Sequence, residues 1–218
     1  MTTMLHNQVA PQGDFGFRLG SEILTTTLSF ENMHQHGELF SNYFRARKQS
    51  FISVKQWSLP EAMGMEYDQY DTPASRWVVV HDQFGRILAG NRLTPTTARC
   101  GVYSYMIRDA QRGLLDEIPT DLLFDEAPVS DTVWESSRLF VSHDVPAGIR
   151  RKVHARLISE IGLSSRTLGA ATCVTLLAAN WPRWAPRVNV DMTALGPVLT
   201  IDGEDNQVVS MDFSRQLN

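Results

Sequence analysis

The sequence predicts a single α/β domain built on a mixed, mostly antiparallel sheet flanked by helices. Three observations predict it. Short strand-like runs such as Trp77–Val80 and Trp134–Val141 are interspersed with helical patterns such as Ile149–Leu168, without the strict alternation that marks a parallel sheet. A tight turn signal, Asp82-Gln83-Phe84-Gly85, joins two strands directly, as antiparallel pairing requires. The length, 218 residues, suits one domain or one domain with a small extension.

Residues 1–30 are polar, carry Gly13, Gly16, Gly20 and the run Thr25-Thr26-Thr27, and read as an N-terminal extension with a short strand near Ile23–Phe30. Residues 31–218 then form the domain. From His36 to Lys55 the pattern is helical, with Leu39, Tyr43 and Phe44, then Ala46 and Phe51, on roughly one face. Pro60, Gly64 and Pro73 break residues 57–75 into a loop crowded with Glu61, Glu66, Asp68 and Asp71. Trp77–Val80 and Ile87–Leu93 are strands, and Pro95 ends the second. Residues 103–118 are read as a short helix, and 119–131, with Pro119 and Pro128, as a loop. Trp134–Val141 is a third strand, closed by Val145-Pro146. Val153, Leu157 and Ile161 recur every four residues in a helix over Ile149–Leu168. Ala171–Leu177 is a buried strand. Val198–Ile201 and Val208–Phe213 make a C-terminal hairpin around Asp202-Gly203-Glu204-Asp205.

Apolar residues make up 43% of the chain and charged residues 20%, enough for an ordinary globular core. The net charge of -4 argues against general nucleic-acid binding. No stretch approaches the ~20 apolar residues that span a bilayer, and residues 1–30 hold one basic residue, Arg18, and no signal-peptide run. Cys100 and Cys173 form no CxxC pair, which fits free thiols in a reducing compartment. The expectation is a cytoplasmic protein with no membrane or nucleic-acid partner. His34 and His36 lack the spacing of a zinc site, and no metal is expected.

Three acids within six residues, Glu66, Asp68 and Asp71, repel one another unless cations meet them. They could be a solvated loop. A metal site is a second reading, although the spacing lacks the glycine and terminal Glu of an EF-hand. The third reading folds distant arginines onto the acids. Arg47, Arg92 and Arg138 each sit in an apolar-patterned segment, where an unpaired charge is too costly to bury. In Trp134-Glu135-Ser136-Ser137-Arg138 the two charges are three apart, which on a regular strand places them on opposite faces. Glu135 is then either half of a structural ion pair or a carboxylate that takes a proton near a cleft. Arg150, Arg151, Lys152 and Arg156 form either a solvated helix face or a patch for an acidic partner.

Four motifs in order carry a family resemblance. They are Arg47-Lys48-Gln49-Ser50-Phe51 with Trp57 six residues on; G-x-E-x-D-x-Y-D from Gly64 to Asp71, followed by Thr72-Pro73; Arg92-Leu93-Thr94-Pro95-Thr96; and W-E-x-S-R from Trp134 to Arg138. Together, over residues 35–190, they resemble the acyl-homoserine-lactone synthases of the LuxI type. Eight signature positions match: Arg47, Phe51, Trp57, Asp68, Asp71, Arg92, Glu135 and Arg138. The resemblance implies a fold like that of the GNAT N-acyltransferases, with a splayed sheet that holds a thioester. It implies acyl transfer from acyl carrier protein, or from acyl-CoA, to the amine of S-adenosylmethionine. Lactone closure then expels methylthioadenosine and yields a quorum-sensing signal.

In that scheme S-adenosylmethionine is a substrate, and no cofactor is implied. Glu135 would be the base, directly or through a water, with Arg138 beside it. Arg47, Phe51 and Trp57 would cover S-adenosylmethionine, while Asp68, Asp71, Arg92 and Arg138 form an ion-pair lattice. Thr175 would sense substitution at the acyl β-carbon. The alternative is an acyl-CoA-dependent GNAT-type N-acyltransferase with another amine acceptor. Such enzymes carry R/Q-x-x-G-x-G/A before a helix, which Val145-Pro146-Ala147-Gly148-Ile149-Arg150 lacks. A methyltransferase would need a Gly-rich strand-turn-helix loop, also absent. A non-catalytic binding protein on the same fold is disfavoured by the intact Glu135 and ion-pair set.

Overall fold

The computed structural model describes residues 22–213; residues 1–21, most of the predicted extension, and 214–218 lie outside the described residues. Within 22–213 the strands are β1 (Ile23–Leu28), β2 (Glu61–Ala62), β3 (Met65–Glu66), β4 (Arg76–Asp82), β5 (Ile87–Pro95), β6 (Val133–Val141), β7 (Thr172–Ala178), β8 (Asp191–Ile201) and β9 (Glu204–Asp212). The α-helices are α1 (Leu39–Arg47), α2 (Met106–Gln111) and α3 (Ala147–Thr167). Seven strands form one sheet in the order β1-β4-β5-β6-β7-β9-β8, and its one parallel pair is β6 with β7. The predicted α/β class and mostly antiparallel sheet are therefore observed. None of these helices is long and apolar enough to cross a membrane.

Side-chain alternation creates the layers. Along β4, Val78 and Val80 pack toward α3 with Leu157 and Ile161, whereas Trp77 and Val79 pack toward α1 with Tyr43 and Phe44. A third cluster, with Tyr105, Ile107 and Val174, seats α2. The threonine run acquires a purpose in β1. Thr25 Oγ1 donates to Glu160 Oε2 at 3.0 Å and Thr27 Oγ1 meets Ser164 Oγ at 2.7 Å, so alternate residues of this edge strand tie to α3.

Several elements differ from expectation. The helix read over 36–55 is broken: α1 ends at Arg47 and a π-helical segment, Lys48–Val54, follows. The loop at 57–75 contains the small β2–β3 ribbon, whose turn residues Met63 and Gly64 have φ of 53° and 78°. The helix expected over 103–118 shrinks to α2, because Gly113 (φ 71°) turns the chain left-handed and Leu114 N–H donates back to the Asp109 carbonyl. The C-terminal hairpin is longer than read and its turn tighter, with only Asp202 and Gly203 (φ 51° and 77°) between the strands.

Two irregularities position the site. β6 and β7 pair only from Val133–Glu135 against Thr172–Val174, and beyond these three pairs they separate and leave a gap. Between β5 and β6, Arg92 lies opposite Ser137 but Gly90 lies opposite Phe140, so β6 carries one extra residue. Arg138 sits in that bulge with φ 55°. The bulge corrects the simple alternation expected of Glu135 and Arg138.

Gly90 has its own structural consequence. A Cβ there would lie 2.5 Å from Tyr43 Cε2 and 3.0 Å from Phe140 Cε1. The bare backbone lets α1 settle onto the sheet, which brings Arg47, one turn past Tyr43, into the interior. Gly90→Ala should therefore destabilise the fold by about 1–3 kcal/mol, the usual cost of overpacking a core, read as a lower urea midpoint.

Candidate active site

The acidic loop organises itself before any arginine arrives. Asp68 N–H donates to Asp71 Oδ2 and Tyr70 N–H to Asp68 Oδ1, each at 2.9 Å, which fixes both carboxylates in a local turn. Three arginines then enter from α1, β5 and β6. Arg47 meets Glu66 at 2.5 Å and Asp71 at 2.7 Å. Arg92 meets Asp68 at 2.5 Å and Asp71 at 3.2 Å. Arg138 meets Glu66 at 3.3 Å and Asp68 at 2.8 Å. The pairs close into a ring, Arg47–Glu66–Arg138–Asp68–Arg92–Asp71, in which every charge has two opposite neighbours. Among the readings left open for the acidic loop, the ion-paired one is observed. Among the described residues, no group of three His, Cys, Asp or Glu could hold a metal ion.

Burial alone would raise the carboxyl groups of Asp68 and Asp71. Arg92 with Arg138, and Arg92 with Arg47, outweigh it and hold both below the usual carboxylate range. Burial likewise pulls the guanidiniums of Arg47 and Arg92 down, and the facing carboxylates push them above their ordinary value. These four groups stay charged. Trp77 Nε1–H adds a donor to Asp71 Oδ1 at 2.9 Å, and Arg92 Nε–H donates to Ser137 Oγ at 3.2 Å.

One member of the ring, Arg138, stands in the wall of a cavity. Arg138 stands 5.7 Å from the Phe51 ring centroid, and Phe51 stacks on Trp57 at 5.2 Å with 6° between planes. Phe51, Trp57, Ser137, Arg138 and the buried Thr175 all line a cavity of about 300 Å3 in the gap between β6 and β7. The π-helical segment and the chain reversal at Gln56 (φ 59°) bring Phe51 and Trp57 together here. A larger groove of about 960 Å3 adjoins it and shares Phe51, Lys55, Leu139, His154 and Trp184 with the cavity.

Glu135 is fully buried. Its Oε1 accepts from Ile107 N–H at 2.9 Å, at the start of α2, and its Oε2 has no partner among the described residues. Burial raises its carboxyl group, with Arg92 and the N–H groups of Ile107 and Met106 opposing. Ser137, two residues along β6, and Met106, next to Ile107, line the cavity, whereas Glu135 itself does not.

Sequence reasoning gathered the ring's arginines and its two aspartates but left Glu66 out of the signature set. The E of the G-x-E-x-D pattern was the available signal. It also missed Asn91, whose Nδ2 donates to the Arg92 carbonyl at 3.0 Å and whose Oδ1 accepts from Ser136 at 2.8 Å, bracing both strands. The basic cluster on α3 divides. Arg150 donates to the carbonyls of Ser142 and Val141 at the end of β6, and Arg156 donates to Thr25 Oγ1. Arg151 and Lys152 line the groove, joined by Arg187.

Two outcomes follow from the ring. Glu66→Gln strands Arg47 and Arg138 and should cost about 3–5 kcal/mol, the usual effect of breaking a buried pair, measured by urea unfolding. Asp68 and Asp71 have depressed values in the folded state, so their contribution is present above the unfolded value of about 3.9 and is lost as pH falls toward the lower folded values. Unfolding midpoints measured from pH 7 downward should drop most steeply below about pH 4.

The model of the autoinducer synthase family matches residues 31–216. The acyl-homoserine-lactone synthase of Ralstonia nicotianae is 30% identical over 166 residues, covering 72% of this chain and 74% of that one. Among solved structures, TofI in a ternary complex with an inhibitor and MTA superposes with a TM-score of 0.69 at 25% identity, over 88% of this chain and 94% of that one. The CoA-dependent acyl-homoserine lactone synthase BjaI, with SAM and isopentyl-CoA, gives a TM-score of 0.72 at 22% identity, covering 89% and 85%, a likeness of fold.

Proposed function

The chain belongs to the autoinducer synthase family, and on that premise we propose that it makes an acyl-homoserine lactone from S-adenosylmethionine and an acyl thioester. The amine nitrogen attacks the thioester carbonyl carbon, the carbon–sulfur bond breaks, and the thiol leaves with the proton the amine gives up. A carboxylate oxygen of the same methionyl group then attacks its own γ-carbon. The bond to the sulfonium breaks and neutral methylthioadenosine leaves. The observation that carries this reading is the closed charge ring, which holds Arg138 in the wall of a cavity opening between two splayed strands.

The charges around the cavity support an orientation. Exposed Glu117, Asp202 and Glu204 edge it on one side, and the aromatic faces of Phe51 and Trp57 line it. A sulfonium cation suits that surface. Arg47, Asp68, Asp71 and Arg92 act by holding the lid residues in place, and Arg138 contributes both to the ring and to the wall. The adjoining groove is lined by Lys55, Arg150, Arg151, Lys152 and Arg187, with no acidic side chain among its described lining residues. Both kinds of acyl donor are anionic, and acyl carrier protein, being acidic, is the donor we favour for this surface. Thr175 faces the acyl portion and senses the β-carbon. Cys100 and Cys173 are unbridged, which suits the reducing cytoplasm.

Glu135 is the proposed base. Its unpartnered Oε2 and raised carboxyl value favour proton uptake, and because it does not itself line the cavity, a water carries the proton from the amine.

Purified protein given S-adenosylmethionine and a panel of acyl-carrier-protein and acyl-CoA thioesters should release methylthioadenosine and an acyl lactone, followed by chromatography and mass spectrometry. No methylthioadenosine with any donor would sink the reading. Glu135→Gln should retain the fold and lower turnover by about 10²–10⁴, the usual worth of a general base. Near-normal turnover would remove Glu135 from that role.

A further inference from the structure

The cavity and the groove meet at a neck formed by Phe51, Lys55, Leu139, His154 and Trp184, the residues that line both. A donor reaching from the basic groove to the gap between β6 and β7 must thread this neck. Its walls are mostly apolar. Lys55 is already engaged, 3.5 Å from Glu204 and 4.7 Å from the Trp57 ring centroid. Beside the Trp184 indole N–H, which can only donate, His154 is the other polar side chain there.

His154 lies on α3, half-buried, with its ring perpendicular to that of Trp184 at 5.1 Å and 88°. Among the described residues no hydrogen-bond partner reaches either ring nitrogen. Burial, and then the nearby Arg150 cation, lower its pKa and keep the imidazole neutral at pH 7. A neutral imidazole presents one N–H donor and one acceptor nitrogen. A secondary amide presents the same pair, and the pantetheine arm, common to acyl carrier protein and acyl-CoA, contains such amides between its phosphate and its thioester. The arm's charge suits the basic groove, and its acyl end suits the cavity.

We infer that His154 is a recognition residue for the acyl donor, hydrogen-bonding an amide of the pantetheine arm where groove and cavity meet. The inference rests on the reading of the chain as an acyl-thioester-dependent synthase. It gives His154 a role in placing the donor, with no part in bond making.

The test compares wild type with His154→Leu and His154→Gln using three donors: acyl carrier protein, acyl-CoA, and the S-acyl ester of mercaptoethanol, which has no amide. His154→Leu should raise the donor KM about tenfold, the affinity value of one hydrogen bond, for both amide-bearing donors. KM for S-adenosylmethionine, kcat and the melting temperature should stay within about twofold or a few degrees of wild type. His154→Gln, which keeps a donor and an acceptor, should recover most of the loss. The mercaptoethanol ester should be insensitive to either change.

An equal loss on the mercaptoethanol ester would overturn the inference in favour of an acyl-chain contact. An effect confined to acyl-CoA would overturn it in favour of a nucleotide contact. A fall in kcat that also removes the acid limb of the pH profile would make His154 a base instead. A higher S-adenosylmethionine KM with a lower melting temperature would make it structural. Calorimetric binding of S-acyl pantetheine to wild type and His154→Leu repeats the comparison without turnover. Equal affinities there would overturn the inference even if the lactone chemistry holds, whereas a wild type that releases no methylthioadenosine fails the functional reading itself.

Discussion

Three guanidiniums and three carboxylates, alternating in a closed buried ring, hold together parts of the chain that are otherwise only neighbours. Arg47 comes from the end of α1, Glu66 from β3, Asp68 and Asp71 from the loop beyond it, Arg92 from β5 and Arg138 from β6. Removing any one charge leaves two opposite charges short of a partner in a dry interior. The set therefore persists as a unit. Such a ring adds little stability over a well-packed apolar core of the same volume. Its effect here is geometric: it sets where α1 and the chain after it sit relative to the central strands.

That constraint reaches the backbone. Arg138 adopts a left-handed φ of 55°, a conformation that costs a non-glycine residue about 1–3 kcal/mol. Two ion pairs hold it there. The extra residue in β6 turns Arg138 toward the same carboxylates that Arg92 engages, and it places the guanidinium against Phe51. Phe51 in turn orders Trp57, so a strained strand residue and an aromatic stack belong to one assembly.

What the sequence revealed and what it hid have physical reasons. Arginines inside apolar patterns demand carboxylates, and the acid-rich loop before β4 supplies them, so Arg47, Arg92, Arg138, Asp68 and Asp71 were legible as a set. The strands of the sheet were legible from short β-rich runs and turn residues. The bulge at Arg138 was not, because it arises from pairing between β5 and β6 and leaves no trace in the alternation of β6 itself. The π-helical segment after Arg47 was hidden for a similar reason, since Leu39, Tyr43, Phe44 and Phe51 satisfy a helical period whether or not the helix widens. The extent of α2 was overread because the apolar residues of 103–118 pack as a loop after Gly113. His154 escaped notice because the period of α3 singles out Val153, Leu157 and Ile161, and its exposure to a cavity depends on Phe51, Lys55, Leu139 and Trp184, which come from other elements and leave no mark on the local pattern.

The single parallel contact in the sheet has a mechanical meaning. β1, β4, β5 and β6 form one antiparallel ribbon, and β7, β9 and β8 form another. Three residue pairs at one end of β6 and β7 rivet the two ribbons together, and α3 spans them as the connecting segment. A sheet assembled this way behaves like a clothespin. Widening at its open end breaks no ladder hydrogen bond between the ribbons, so the gap between β6 and β7 is held by one short joint and not by a continuous ladder.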